Sequence, residues 1–99
     1  LTAKVIEEEI GLGELVTLLK LNRGEAALVE VRLPDVAPSL GKAIRELQLP
    51  TDTVIVSVMR SGKLVIPRGD TTLLADDEVL AVSTVKAEPA LKQALLGPA

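Results

Sequence analysis

Few side chains in this sequence could do chemistry, and most lack the neighbours that chemistry needs. Two acidic runs, Glu7-Glu8-Glu9 and Asp76-Asp77-Glu78, offer oxygens to a divalent cation. Neither has the alternating spacing of a calcium loop, and consecutive carboxylates read first as a solvated charged face. The chain has no His and no Cys. Zinc and copper therefore lose their usual ligands. An imidazole base and a thiolate nucleophile are both ruled out. Ser39, Ser57, Ser61 and Ser83 stand in no nucleophile motif. Gly11-Leu12-Gly13 begins the spacing of a dinucleotide loop, but the third glycine position holds Val16, so the pair reads as a helix stop. Arg68-Gly69-Asp70 spells an integrin-binding tripeptide and reads as a turn, since short motifs recur by chance. The expectation is a protein that is not an enzyme.

The elements that must position any binding residue follow from hydrophobic periodicity. Apolar residues make up 47% of the 99-residue chain and none is aromatic, so the core must be aliphatic and rich in branched side chains that favour strands. Residues 2–10 predict a short amphipathic helix, with Ala3, Ile6 and Ile10 on one face. Residues 14–21 fit a helix or a strand, and the alternation that follows favours the strand. Asn22-Arg23-Gly24-Glu25 is a turn signal. Ala27, Val29, Val31 and Leu33 then alternate with Leu28, Glu30 and Arg32, the pattern of a half-buried strand. After a loop over 34–38, Ser39 is placed to cap a helix. Leu40, Ala43, Ile44 and Leu47 have the spacing of one buried helical face.

Residues 54–59 are apolar on both faces except at Ser57, which predicts a central strand. Ser61-Gly62 makes a tight turn into a returning strand over 63–66. Residues 67–70 turn again, Leu73 and Leu74 are candidates for burial, and Asp76-Asp77 opens a last short strand over 79–83. Glu88-Pro89 starts a final helix with Leu91, Ala94 and Leu95 inward, ended by Gly97-Pro98. The expected fold class is α+β: a small, mainly antiparallel sheet with two packed helices, preceded by a helix-strand lead-in.

Charge and length narrow the partners. A net charge of -3 is the wrong sign for a nucleic-acid polymer, which needs clustered Lys and Arg. Without aromatics there is no stacking platform for single strands. No run of about 18 apolar residues suggests direct membrane insertion. The first residues, Leu1-Thr2-Ala3-Lys4, are neither an initiator Met nor a signal peptide, so the chain reads as a piece of something longer. With no cysteine, a cytoplasmic location is expected. A domain this small buries only about 60–65% of its unfolded surface, and dimerisation would bury more.

Four segments in this order resemble the TrkA-C domain, also called the RCK C-terminal domain, of potassium uptake regulators and related ion transporters. They are the strand Ala27-Leu28-Val29-Glu30-Val31; the stretch over 40–50 with Leu40-Gly41-Lys42, Glu46-Leu47 and Leu49-Pro50; the strand over 54–59 with Arg60 and Gly62; and Ile66-Pro67-Arg68-Gly69-Asp70-Thr71, followed by Leu73, Asp77 and Val79. The resemblance covers residues 26–96. It departs from the family at Asp76 and Ser83, where glycine is usual. It divides the chain into a lead-in over 1–25, of the kind that joins such a domain to a preceding RCK domain, and a C-terminal domain over 26–97.

The resemblance implies a homodimerising regulatory domain of a potassium or other monovalent-cation transport system, working through a preceding RCK domain on a membrane transporter or channel subunit. Some members hold cyclic di-AMP between two such domains. On that basis the ligand residues expected here are Arg60, Ile66, Pro67, Ile55 and Met59, with Val54 beside them, and the ligand is cyclic di-AMP or another small anion. Arg60 paired only with Asp70, and Ile66-Pro67 serving only as core or interface, are the plainer alternatives. A purely structural dimerisation domain, and the tail of an antiporter or permease, are the rival functions.

Overall fold

The computed structural model describes residues 11–97; the helix expected over 2–10 lies outside them. Five strands form one antiparallel sheet: β1 (Leu15–Leu21), β2 (Ala26–Arg32), β3 (Thr53–Arg60), β4 (Lys63–Val65) and β5 (Glu78–Thr84), in the order β1-β2-β5-β3-β4. One α-helix, α1 (Glu88–Leu96), follows. The alternation read from the sequence sets the sheet's two faces. Ala27, Val29 and Val31 of β2, Val79 and Ala81 of β5 and Val58 of β3 are buried, and Leu91 and Leu95 of α1 pack with them. The valines and leucines among them, with Leu33 and Leu73, supply the main stabilising burial, at about 1.5–3 kcal/mol each.

Two hairpins build the sheet. Asn22 and Arg23, both at positive φ, turn β1 into β2. Ser61 at φ 51 and Gly62 at φ 77 make the two-residue turn between β3 and β4. Positive φ at both central positions matches the twist of the flanking strands, and glycine reaches it without a Cβ penalty. The segment expected as a lead-in strand is β1, hydrogen-bonded along β2 as the sheet's edge.

Three expectations need correction. Residues 40–47 do not form a helix, so among the described residues only one α-helix packs on the sheet. Gly41 sits at φ 78 and Ala43 is extended, leaving a single 3₁₀ turn over Ile44–Glu46. The backbone donors that a helix would use internally reach across instead: Gly41 N to Leu73 O, Ile44 N to Thr71 O and Arg45 N to Gly69 O, each at 2.9 Å. The periodic residues still face inward, with Ala43 buried and Leu40, Ile44 and Leu47 against the core. Ser39 caps no helix start. Its buried Oγ donates to Leu95 O at 2.7 Å, satisfying one of the carbonyls that a helix C-terminus leaves free.

Secondly, β3 is an interior strand as expected, but it is not buried on both faces. β3 lies between β5 and the short β4, with Val54 63% and Val56 44% exposed. Its apolar run comes from a sheet with one covered face, not two. Thirdly, Leu73 is buried but Leu74 is 45% exposed. Of the two departures from the family pattern, Asp76 takes φ 70, where glycine would be unstrained. Ser83 is buried and satisfied, its hydroxyl accepting from Thr53 Oγ1 and donating to Thr84 O.

Candidate functional site

β3 and β4 position the residues expected to meet a ligand. Register decides which of them share a face. Val58 pairs with Val79 and Val65, and Ile55 pairs with Ala81. These are core-facing positions, and Ile55 packs against the core. Met59 pairs with Glu78 and Leu64, and Val54 with Val82, on the face away from α1. The expected set is therefore split: Ile55 lies behind the sheet from Met59. Ile66 follows β4 and is 60% exposed, with Pro67 half-buried after it. Leu64, 59% exposed and across from Met59, belongs to this apolar strip. Sequence reasoning passed over it, although its place two residues before Ile66 on a returning strand is the signal that finds it.

Arg60 ends β3 at the hairpin, on the side of Val58 and not on the face of Met59. It does not pair with Asp70. Its Nε donates to Asp77 Oδ1 at 2.9 Å and its Nη2 to Asp77 Oδ2 at 2.8 Å, while Nη2 also reaches Thr72 O at 2.9 Å. The Asp77 side chain is fully buried and also accepts from Leu74 N at 2.9 Å. Asp77 thus holds the turn into β5, as its position suggested, and fixes the guanidinium as well. Hydrogen bonding to Asp77 raises the Arg60 pKa, with burial opposing it and the carboxylate's charge adding to it, so the group stays cationic throughout. About a third of the Arg60 side chain, 31%, remains exposed. Lys63, exposed and opposite Arg60 in the register, adds a second cation.

The arrangement is an apolar strip of Val54, Met59, Leu64 and Ile66 on the open face, with Arg60 and Lys63 at the adjoining hairpin end on the other side of the β3–β4 ribbon. It suits a ligand that combines flat apolar groups with negative charge. Among the described residues no group of carboxylates is arranged to hold a metal ion; Glu7-Glu8-Glu9 lies outside them. No helix among the described residues is long and apolar enough to cross a membrane.

A small antiparallel-sheet domain backed by a C-terminal helix is the class of protein that this fold defines. The match to known families is specific: residues 28–96 match the model of the TrkA-C domain, and the chain belongs to that family. It is 42% identical, over 95% of its length, to the Trk system potassium uptake protein TrkA of Mycobacterium tuberculosis, covering 43% of that protein. It is 36% identical to a TrkA homologue of Archaeoglobus fulgidus, over 90% of this chain and 20% of that one. The chain thus spans less than half of these relatives. Among solved structures, one described as an RCK domain with cda aligns at TM-score 0.60 and 24% identity, over 69% of this chain and 96% of that one. The GsuK channel aligns at TM-score 0.63 and 24% identity, over 86% of this chain and 15% of that one. Both share the fold.

Proposed function

We propose that this chain is a ligand-sensing, homodimerising module that regulates a potassium or other monovalent-cation transport system from the cytoplasmic side. The observation that carries the ligand reading is the exposed strip of Val54, Met59, Leu64 and Ile66, with the cations of Arg60 and Lys63 at the adjoining hairpin end on the opposite face. Ile55 supports it from the core side and Pro67 shapes its end. Cyclic di-AMP, with adenine faces and two phosphates, has matching chemistry, and a structural neighbour described as an RCK domain with cda supports a nucleotide-type ligand. The relatives' names support potassium transport as the host process.

Regulation requires the ligand to favour one arrangement of two copies over another. A coupling of about 1–3 kcal/mol is typical for such a device. The preceding part of the full protein would pass the change to a membrane partner.

Ile66→Asp tests the strip without disturbing the core, because Ile66 is 60% exposed. Melting should shift little, as for other surface changes, within about 0.5 kcal/mol. Affinity for cyclic di-AMP should fall at least tenfold, about 1.4 kcal/mol. Unchanged affinity in the folded variant would place the ligand elsewhere. Arg60→Ala is a poorer probe, since removing Arg60 also strips Asp77 of its partner.

A further inference from the structure

Cations gather around one segment of the fold. Lys42, Arg45, Arg60, Lys63 and Arg68, five of the chain's eleven Lys and Arg residues, lie on or beside residues 68–73. The backbone fixes where each sits. Residues 41–45 run along 69–73, held by the hydrogen bonds that replace the expected helix. Leu73 N donates to Lys42 O at 3.3 Å, which puts Lys42 at one end of the segment. Arg45 Cβ comes within 3.7 Å of where a Cβ on Gly69 would stand, so Arg45 neighbours Arg68 at the other end. Between them Arg60 reaches Thr72 O from β3, and Lys63 is its register partner on β4. All but Arg60 are exposed.

The acids nearby cancel this charge only in part. Asp77 is buried and bound to Arg60. Glu46 Oε1 accepts from Ala43 N at 2.8 Å. Asp70 is exposed, and Asp76 lies toward Arg32, at 3.9 Å. Five cations against Asp77, Glu46 and Asp70 leave a local positive surplus in a chain of net charge -3. Among the described residues Lys42, Arg45, Lys63 and Arg68 are in no ion pair. Arg60 spends Nε and Nη2 on Asp77 and Thr72 O and keeps Nη1 free of a protein acceptor.

We infer that this cationic ribbon is a docking surface for an extended, carboxylate-rich segment of a partner protein. Four features choose that partner. The cations are strung out, not convergent. From Gly69 to Leu73 an extended chain advances about 13 Å, too far for one phosphate or carboxylate to touch both ends. A run of Asp or Glu residues in an extended segment advances at the same spacing. Three of the five cations are arginines, whose planar fork takes a carboxylate through two hydrogen bonds. The rest of the chain carries more acids than bases, which sets it against an anionic lipid surface or a nucleic-acid polymer. Finally, the ribbon is already tied down by backbone hydrogen bonds, so docking orders little that is loose. The apolar strip lies on the other side of the β3–β4 ribbon, and Arg45 and Arg68 take no part in the ligand reading.

Amide NMR shifts of the full chain, titrated with a short oligoglutamate peptide, test this. Residues 42–45, 60–63 and 68–72 should shift. Binding should weaken steadily as ionic strength rises from about 0.05 to 0.3 M and the screening length shrinks. Arg45→Glu and Arg68→Glu should each weaken it by about two- to fivefold, the size of one exposed ion pair. Their melting should stay near that of the unaltered chain, since both side chains are exposed. Lys20→Glu, exposed on the far strand β1, changes the net charge equally and should leave binding as it was.

No shifts, shifts spread evenly over the chain, or an equal loss in Lys20→Glu overturn the inference. So does pyrophosphate acting on the same residues at lower concentration than the peptide, which would mark a small-anion site. Binding to anionic phospholipid vesicles that disappears in Arg45→Glu/Arg68→Glu overturns it too, in favour of a membrane. Each outcome leaves the ligand reading to its own titration.

Discussion

Asp77→Ala is expected to destabilise the fold by about 3–5 kcal/mol, the cost of breaking a buried ion pair from one side. The carboxylate is fully buried and accepts three hydrogen bonds, two from Arg60 and one from Leu74 N. Its removal leaves a partly buried guanidinium and a turn N–H without their partner. Asp77→Asn keeps the shape and loses the charge, and should cost less, about 1.5–3 kcal/mol. Arg60→Ala should fall in the same range as Asp77→Asn, because Arg60 is partly exposed and water can reach the freed carboxylate. Arg60→Lys should rescue little, since one ammonium cannot span both Asp77 oxygens and Thr72 O together. Urea denaturation of the single and double variants checks this. The double variant Arg60→Ala/Asp77→Ala should lose less than the sum of the two. Losses that add fully, or an Asp77→Ala loss below about 1 kcal/mol, would mean that the pair does not hold the β3–β4 hairpin to β5.

The second large effect belongs to the helix. Leu91→Ala should cost about 2–5 kcal/mol, the range for a fully buried leucine that leaves a cavity. Leu91 and Leu95 are both 0% exposed beneath α1, and the helix end is tied to the loop by Ser39. Met59→Ala, on the other face of the same sheet, should cost under about 1 kcal/mol. Thermal melts of the two variants measure the contrast. Equal losses would mean that the two faces are equally covered, and the open face would lose its role. For a small domain, whose total stability lies near the lower end of about 5–15 kcal/mol, Leu91→Ala leaves little margin.

The strands were legible because period-two burial depends only on which side of a covered sheet a residue faces. Ala27, Val29, Val31 and Leu33 alternate in the sequence and are all buried. The final helix was legible from Pro89 at its start and Gly97 at its end. The stretch over 40–47 misled because inward-facing residues at helical spacing also fit an irregular segment whose donors are taken by residues 69–73. Burial was read correctly there, and the element was not. The strength of β3's apolar pattern likewise hid that one face is open.

At the site, Arg60 was recognisable as a cation at a hairpin end. Its tie to Asp77 was not, because the two lie 17 residues apart and meet only once β3 is laid beside β5. The separation of Ile55 from Met59 depends on the register shift between Ile55 and Ser57, and a bulge leaves no mark in an unbroken apolar run.

The central claim is that a ligand bridges two copies of this domain. With no Trp or Tyr to report by fluorescence, isothermal titration calorimetry of the chain against cyclic di-AMP tests it most directly, with ATP, NAD and AMP as comparisons. The account predicts saturable heat with micromolar or tighter affinity, about -8 kcal/mol, at one cyclic di-AMP per two chains. No heat from the folded chain with any of the four would contradict it and leave a purely structural dimerisation module.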